Sequence, residues 1–186
     1  MNCSHEKLMR DVTNLEISFD ANWLLESLLD RYRWPGQYIG GQPTIEVILE
    51  NGDKTNCLFG DDGYLVPEVA ISYYNQGYTL LFSRIQRLHN SLRSLSDLIN
   101  AHVRDEVNMN IYFGTGGKSI SFPLHTHDYP VIVKNVQGTS EWIIGDETEV
   151  VANQEAVYFG AEVPHAVTKI LTPKLSITCS MVGYAN

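Results

Sequence analysis

The chain has 186 residues, a formal net charge of −9, and 44% hydrophobic against 19% charged residues. This length suits one domain with a single sizeable core, and the balance is that of an ordinary globular protein. An acidic chain with no basic run or stripe excludes a partner gripped by its phosphates, whether nucleic acid or an anionic membrane surface.

The start, Met1-Asn-Cys-Ser-His-Glu-Lys7, lacks the apolar segment of a signal peptide. Asp20 has the character of a helix N-cap, and Leu24, Leu25, Leu28 and Leu29 form a short apolar helical face. Trp34-Pro35-Gly36 ends that helix and Gly40-Gly41 is a loop. Thr44 to Leu49 reads as a strand, Asn51-Gly52 as a tight turn, and a second strand follows through Cys57-Leu58-Phe59. Tyr78 to Phe82 is another strand. Ile85, Leu88, Leu92, Leu95, Ile99 and Val103 then recur at alternating spacings of three and four, predicting one helix that ends near Arg104, with Asn90 or Ser91 capping its regular part.

From Val107 onward the texture changes. Short runs rich in Val, Ile, Thr and Tyr alternate with turns at Gly114-Thr-Gly-Gly117, Gln137-Gly138, Gly145-Asp146, Asn153-Gln154, Gly160-Ala161 and Thr172-Pro173. Regular short strands of this kind indicate a sandwich or barrel. The expected fold is mainly β (α+β): a jelly-roll barrel with N-terminal helices. The chain reads as one domain over 1–186, with helices and flanking strands in 1–106 and the barrel core in 107–183. No apolar run approaches the ~18 residues of a membrane-spanning helix. Cys3, Cys57 and Cys179 are odd in number and far apart, with no Cys-x-x-Cys, so neither a disulfide framework nor a cysteine zinc site is expected. A reducing, cytoplasmic setting fits.

The chemistry concentrates in Phe122-Pro-Leu-His125-Thr-His127-Asp128 and, later, Val163-Pro164-His165. Residues i and i+2 of a strand share a face, about 6.5–7 Å apart. Two imidazoles so placed can converge on one ion at about 2.1 Å, with a third His arriving from a neighbouring strand. Three protein ligands leave coordination positions open, as a catalytic site requires.

These residues also carry a resemblance. The run Asn108-Met-Asn-Ile-Tyr112, then Gly117, His125-x-His127, Gly138, Trp142 and Tyr158-Phe-Gly160…His165 resembles the cupin superfamily, and more narrowly is similar to bacterial JmjC-like cupins. Gly138 lies thirteen residues after His125, and His165 five after Gly160, as that family's motifs require. Gly77-Tyr-Thr-Leu-Leu81, before the long helix, is also similar. The resemblance implies a double-stranded β-helix that holds Fe(II) and oxidises a substrate with O₂, usually with 2-oxoglutarate as co-substrate. Three departures count against 2-oxoglutarate and against a ribosomal-protein substrate. The family's metal-binding Asp is His127 here. The family's basic partner of the 2-oxoglutarate tail falls on Ser140. The expected barrel reaches the end of this sequence, so the C-terminal dimerisation and docking region of the ribosomal-protein hydroxylases is not expected.

Strand parity extends the reading. A regular strand turns His125, His127, Tyr129, Val131, Val133 and Asn135 inward and Lys134 outward. A hairpin at Gln137-Gly138 then sets Asn135 opposite Ser140 and Val133 opposite Trp142. A hairpin at Thr172-Pro173 sets His165 opposite Ser180, and leaves Lys174 roughly 20 Å from the metal at about 3.3 Å per residue. Lys174-Leu-Ser176 is similar to the Arg-x-Ser pair of other oxygenases but is badly placed on this register. Lys169 shares the parity of His165 and is the expected substitute anchor for 2-oxoglutarate.

The remaining candidates read as structural. Asp128 points away from a regular strand, and Glu162 is solvated. His89 and His102 pack or face water, and His5 lies in a fraying terminus. Gly114-Thr-Gly-Gly117-Lys118 lacks the spacing of a phosphate loop.

The expected site thus has metal ligands His125, His127 and His165, cavity-lining residues Tyr112, Trp142, Ser140, Asn135 and Ser180, and Lys169 as anchor. The expected activity is an Fe(II) oxygenase acting on a small molecule with O₂ at a three-His centre. The alternatives are a 2-oxoglutarate-dependent hydroxylase with a relocated anchor, a non-redox Zn, Mn or Ni isomerase or lyase, and a non-catalytic ligand-binding cupin. All four metals accept imidazole. A homodimer is compatible with the sequence.

Overall fold

Alternation along three strands organises the molecule. In β4 (Asn108–Gly114), β5 (Val131–Gln137) and β10 (Lys174–Ser180), one parity is apolar: Met109, Ile111 and Phe113; Ile132 and Val136; Leu175, Ile177 and Cys179. That parity faces the core under the N-terminal helices. The other parity carries Tyr112, Val131 and Val133, Lys174, Ser176 and Thr178, and faces the interior of a barrel. Successive side chains of a strand point to opposite faces, so one sheet serves two cores. The structure, a computed structural model, describes residues 3–103, 107–118 and 121–182.

The large sheet runs β2-β1-β3-β4-β10-β5-β8, with β1 at Ile45–Ile48, β2 at Lys54–Thr55, β3 at Thr79–Phe82 and β8 at Ala156–Phe159. A second sheet, β7-β6-β9, is made of β6 (Ser140–Ile144), β7 (Glu147–Val151) and β9 (His165–Ile170). A bridge between His125 and His165 adds a fourth row to it. Val131, Val133, Trp142, Val151, Val157, Phe159 and Val167 fill the space between the two sheets. This is the jelly-roll arrangement expected from the strand pattern.

Both expected hairpins are crossovers instead. The Gln137-Gly138 turn carries the chain from β5, paired with β10 and β8, to β6, paired with β7 and β9. The Thr172-Pro173 turn carries it from β9 back to β10 between β4 and β5. Asn135 therefore does not oppose Ser140, nor His165 Ser180. Gly138 sits at φ +84, and a Cβ there would overlap the Pro173 carbonyl. The two crossovers lie against each other.

The helices cover the outer face of the large sheet. α1 (Cys3–Asn14) buries Leu8 and Val12, four residues apart on one face. His5 is not frayed: its ring meets Tyr158 edge-on at 4.0 Å. Lys134, on the outward parity, donates through Nζ to the carbonyls of Thr13 and Gln154 and so ties the end of α1 to the sheet. α2 (Ala21–Glu26) starts at Asp20, whose carboxylate accepts from the Trp23 N–H at 2.9 Å, and continues into a π turn at Ser27–Arg31. α3 (Pro67–Asn75) opens on a proline, which has no N–H to leave unpaired there.

The long predicted helix is interrupted. Arg84 takes φ +54, Ile85–Arg87 make one tight turn, and α4 runs only over Asn90–Asn100. His89, in extended backbone, caps α4 by accepting the Ser91 N–H on its ring Nδ1 at 3.2 Å. Ile85, Leu92, Leu95 and Ile99 are all buried, so the apolar period persists across the break. The predicted end at Arg104 lies outside the described residues. Only Lys54 and Thr55 of the predicted second strand pair with β1. No helix among the described residues is long and apolar enough to cross a membrane.

Candidate metal centre

His125, His127 and His165 come together at one end of the barrel, each offering a ligand nitrogen within 4.8 Å of the others. Their ring centroids are 4.4 Å (125–165), 4.9 Å (125–127) and 5.1 Å (127–165) apart. The backbone fixes the pair from distant positions. His125 N–H donates to the His165 carbonyl at 3.2 Å, and His165 N–H returns to the His125 carbonyl at 2.9 Å. Glu162 N–H donates to the His127 carbonyl at 2.7 Å and binds the turn before β9 to the same segment.

Ring orientation is also determined. Nδ1 of His125 lies 2.7 Å from the Pro123 carbonyl, and Nδ1 of His165 lies 2.8 Å from the Val163 carbonyl. A carbonyl only accepts, so each Nδ1 carries the proton and each Nε2 keeps its lone pair for a metal. His127 stacks on Tyr129 at 5.0 Å, and His165 stacks on Phe159 at 3.9 Å.

The electrostatics favour ligation. Burial lowers His165 to about 4; the Val163 carbonyl opposes this, and the two neighbouring imidazoles add to it. His127 is also lowered, chiefly by burial, then by His125 and against the pull of Asp128. Both rings stay neutral at neutral pH, the form a metal needs. Asp128 is exposed and stands outside the cluster. Three imidazoles contribute no negative charge, so a divalent ion here keeps its full +2.

A narrow cavity opens in front of the triad. Tyr112 and Trp142 line it, as does Phe122, whose ring meets Tyr112 and His125 edge-on. Burial, then Tyr129 and Glu46, push the Tyr112 phenol well above its ordinary range, so it stays a donor. Three other expected lining residues stand behind the wall. Asn135 points inward but donates its amide to the Val151 carbonyl at 2.7 Å. Ser140 accepts the Trp142 indole N–H at 3.0 Å and so holds the ring that lines the cavity. Ser180 pairs with Val131 and Asn108 at the strand end and does not reach the space.

The two lysines exchange places relative to expectation. Lys169 is exposed, because a bulge in β9 pairs Glu141 with Lys169 but Trp142 with Val167. The extra residue, Thr168, reverses the parity that would have turned Lys169 inward. Lys174 instead lines the cavity, only 2% exposed, with Nζ 5.1 Å from the Trp142 ring centroid. Its expected distance assumed a β9–β10 hairpin. Those strands lie in facing sheets, and Lys174 shares the cavity with the triad. Ser176 and Thr178 follow on the same parity and also line the cavity. The signal for this wall was present in β10, where Lys174, Ser176 and Thr178 alternate with Leu175, Ile177 and Cys179.

No protein-family model and no curated protein matches the chain. Among solved structures, YcfD, a ribosomal oxygenase from Escherichia coli, superposes with TM-score 0.60 at 13% identity, over 90% of this chain and 44% of that one. A cupin 2 conserved barrel domain protein from Rhodopseudomonas palustris gives TM-score 0.41 at 11% identity, over 59% of this chain and 65% of that one. The DMSP lyase DddQ from Ruegeria pomeroyi DSS-3 gives 0.37 at 15%, over 43% and 40%. The chain thus spans less than half the length of YcfD. At these identities the likeness is one of architecture, and the first superposition carries it: this chain has the cupin fold, with three histidines placed to hold one metal ion.

Proposed function

We propose that the chain is a metal-dependent oxygenase that holds Fe(II) through His125, His127 and His165 and oxidises a small molecule with O₂. The observation that carries this reading is the open triad. Three ligand nitrogens lie within 4.8 Å of one another, a cavity lies before them, and among the described residues no fourth His, Cys, Asp or Glu joins the cluster. Bound iron supplies open coordination positions and the redox chemistry that O₂ requires. The chain's own residues do the rest. The Pro123 and Val163 carbonyls hold the imidazole tautomers, Phe159 and Tyr129 buttress the rings, and the Tyr112 phenol offers a hydrogen-bond donor. The undiminished +2 charge favours a substrate that chelates as an anion, such as an enolate, catecholate, thiolate or α-hydroxy acid.

A second reading, 2-oxoglutarate-dependent hydroxylation with a relocated anchor, is supported by one observation: the cavity has a cation in Lys174, where Ser140 offers none. Anaerobic titration of the Fe(II)-loaded protein with 2-oxoglutarate separates the two. A visible charge-transfer band selects the second reading. Its absence, with one iron per chain and O₂ uptake on addition of a chelating substrate, selects the first. Turnover with Zn, Mn or Ni that consumes no O₂ sinks both and leaves a non-redox cupin.

A further inference from the structure

The turn between β1 and β2 reaches the metal centre from outside the barrel strands. It is tightly closed. Gly52 N–H donates to the Leu49 carbonyl at 3.0 Å, and Leu49 N–H donates to the Asp53 carbonyl at 2.8 Å. The Asn51 side chain accepts the Asp53 N–H at 3.0 Å and donates its amide to the Asp53 carboxylate at 2.7 Å. The strand behind it is anchored, with Ile45, Val47 and Ile48 fully buried. Gly52 takes φ +85, and a Cβ there would stand 2.5 Å from Cδ and 3.1 Å from Cγ of Pro123. The glycine backbone therefore bears directly on the Pro123 ring. Pro123 is the residue whose carbonyl faces His125 Nδ1 at 2.7 Å. No regular element stiffens this segment: apart from the bridge at His125, residues 121–130 lie in no strand or helix, and Pro123 and Leu124 are exposed.

We propose that the Asn51-Gly52 turn is a positioning element of the metal centre. It bears on Pro123, holds the Pro123 carbonyl against His125 Nδ1, and so keeps His125 Nε2 free for the ion. A proline ring fixes its own φ, so a push on Cδ and Cγ passes along the backbone to the carbonyl. An imidazole that loses this acceptor is free to carry its proton on Nε2, and the lone pair a metal needs is then gone. Position 52 calls for glycine twice over, for its positive φ and for the close approach of the two backbones. The turn lies in the N-terminal half of the chain, so the barrel strands alone do not complete the site.

This role rests on the metal reading above, and the two are tested apart. Metal-free protein comes first. Long-range proton–nitrogen NMR spectra of the imidazoles, with His125→Gln to assign the signal, report which nitrogen holds the proton. Titration with Co(II), whose visible absorption reports ligand geometry, then gives the metal affinity. The wild type should hold the proton on Nδ1. Gly52→Ala should shift it towards Nε2, change the Co(II) spectrum and weaken Co(II) about tenfold, the worth of one hydrogen bond. Gly41 has φ +84, but a Cβ there meets no atom within 4 Å among the described residues. Gly41→Ala thus carries the backbone strain without the contact and should change neither readout.

Pro123→Ala leaves a gap where the ring stood and should move both readouts in the same direction. It involves no positive φ, so it decides the matter if Gly52→Ala does not fold. The double variant sets the new methyl of position 52 into that gap, and both readouts should return towards wild type, a coupling that two independent losses do not produce. The proposal is overturned by unchanged readouts in both single variants, by equal losses in Gly41→Ala, by losses that merely add in the double variant, or by a wild type with its His125 proton on Nε2. If the wild type binds no Co(II), the metal reading fails, and the place of the His125 proton in the metal-free variants still decides the role of the turn.

Discussion

The three metal-binding candidates are held unequally. His165 is 4% exposed and clasped by Phe159 and the Val163 carbonyl, whereas His125 and His127 are only partly buried. His165→Ala is expected to lose the metal and keep the fold, read by metal content and by an unchanged far-UV spectrum. Tight retention of one equivalent would sink the assigned triad. The same burial predicts a pH dependence of stability. An unfolded His titrates near 6.5, and His165 in the folded chain near 4. Between those values the unfolded chain binds the extra proton, so metal-free stability falls as pH drops through that window. Urea unfolding at pH 7 and pH 5 should show a smaller drop for His165→Gln than for the wild type. Lys174 acts in the alkaline range. Its folded value of about 7 lies below the ordinary 10.5. Without ligand, stability should rise as pH increases from 7 towards 10.5, a slope that Lys174→Met removes.

At the scale of elements, sequence periodicity located strands well and their partners poorly. The even–odd alternation of β5 correctly turns Val131 and Val133 into the barrel and Lys134 out of it. It cannot reveal that Gln137-Gly138 and Thr172-Pro173 change sheets, because a hairpin and a crossover use the same turn residues. Gly138 is the test. Its φ of +84 and the close Pro173 carbonyl mean that Gly138→Ala should cost at least ~1–2 kcal/mol, seen as a lower midpoint in thermal unfolding. The break before α4 was hidden for a related reason. The spacing of Ile85, Leu88 and Leu92 fits one continuous helix, but a ring nitrogen at His89 captures the Ser91 N–H and restarts it. His89→Ala removes that cap and should cost ~1 kcal/mol, with no change in metal content.

Across the whole molecule, one sheet separates two cores, and their roles should separate too. The helix side contains Leu92, Leu95 and Ile99 with Ile111 and Ile177, and the barrel side contains the triad and the polar wall of β10. Leu92→Ala is expected to lose ~2–5 kcal/mol of stability yet leave metal affinity unchanged while the protein stays folded. A parallel fall in affinity, measured well below the unfolding transition, would show that the cores are coupled. The jelly-roll class, the His-x-His and the returning His are legible in the chain because they depend on local spacing and on turn chemistry that any strand obeys. The chain also contained the polar face of β10, although that signal became readable only with the register known. Which lysine enters the cavity depends on packing between distant segments. A single extra residue in β9 turns Lys169 outward, and the crossover at Thr172-Pro173 delivers Lys174, because the facing of two sheets is set by packing between segments distant in the chain rather than by any pattern within one of them.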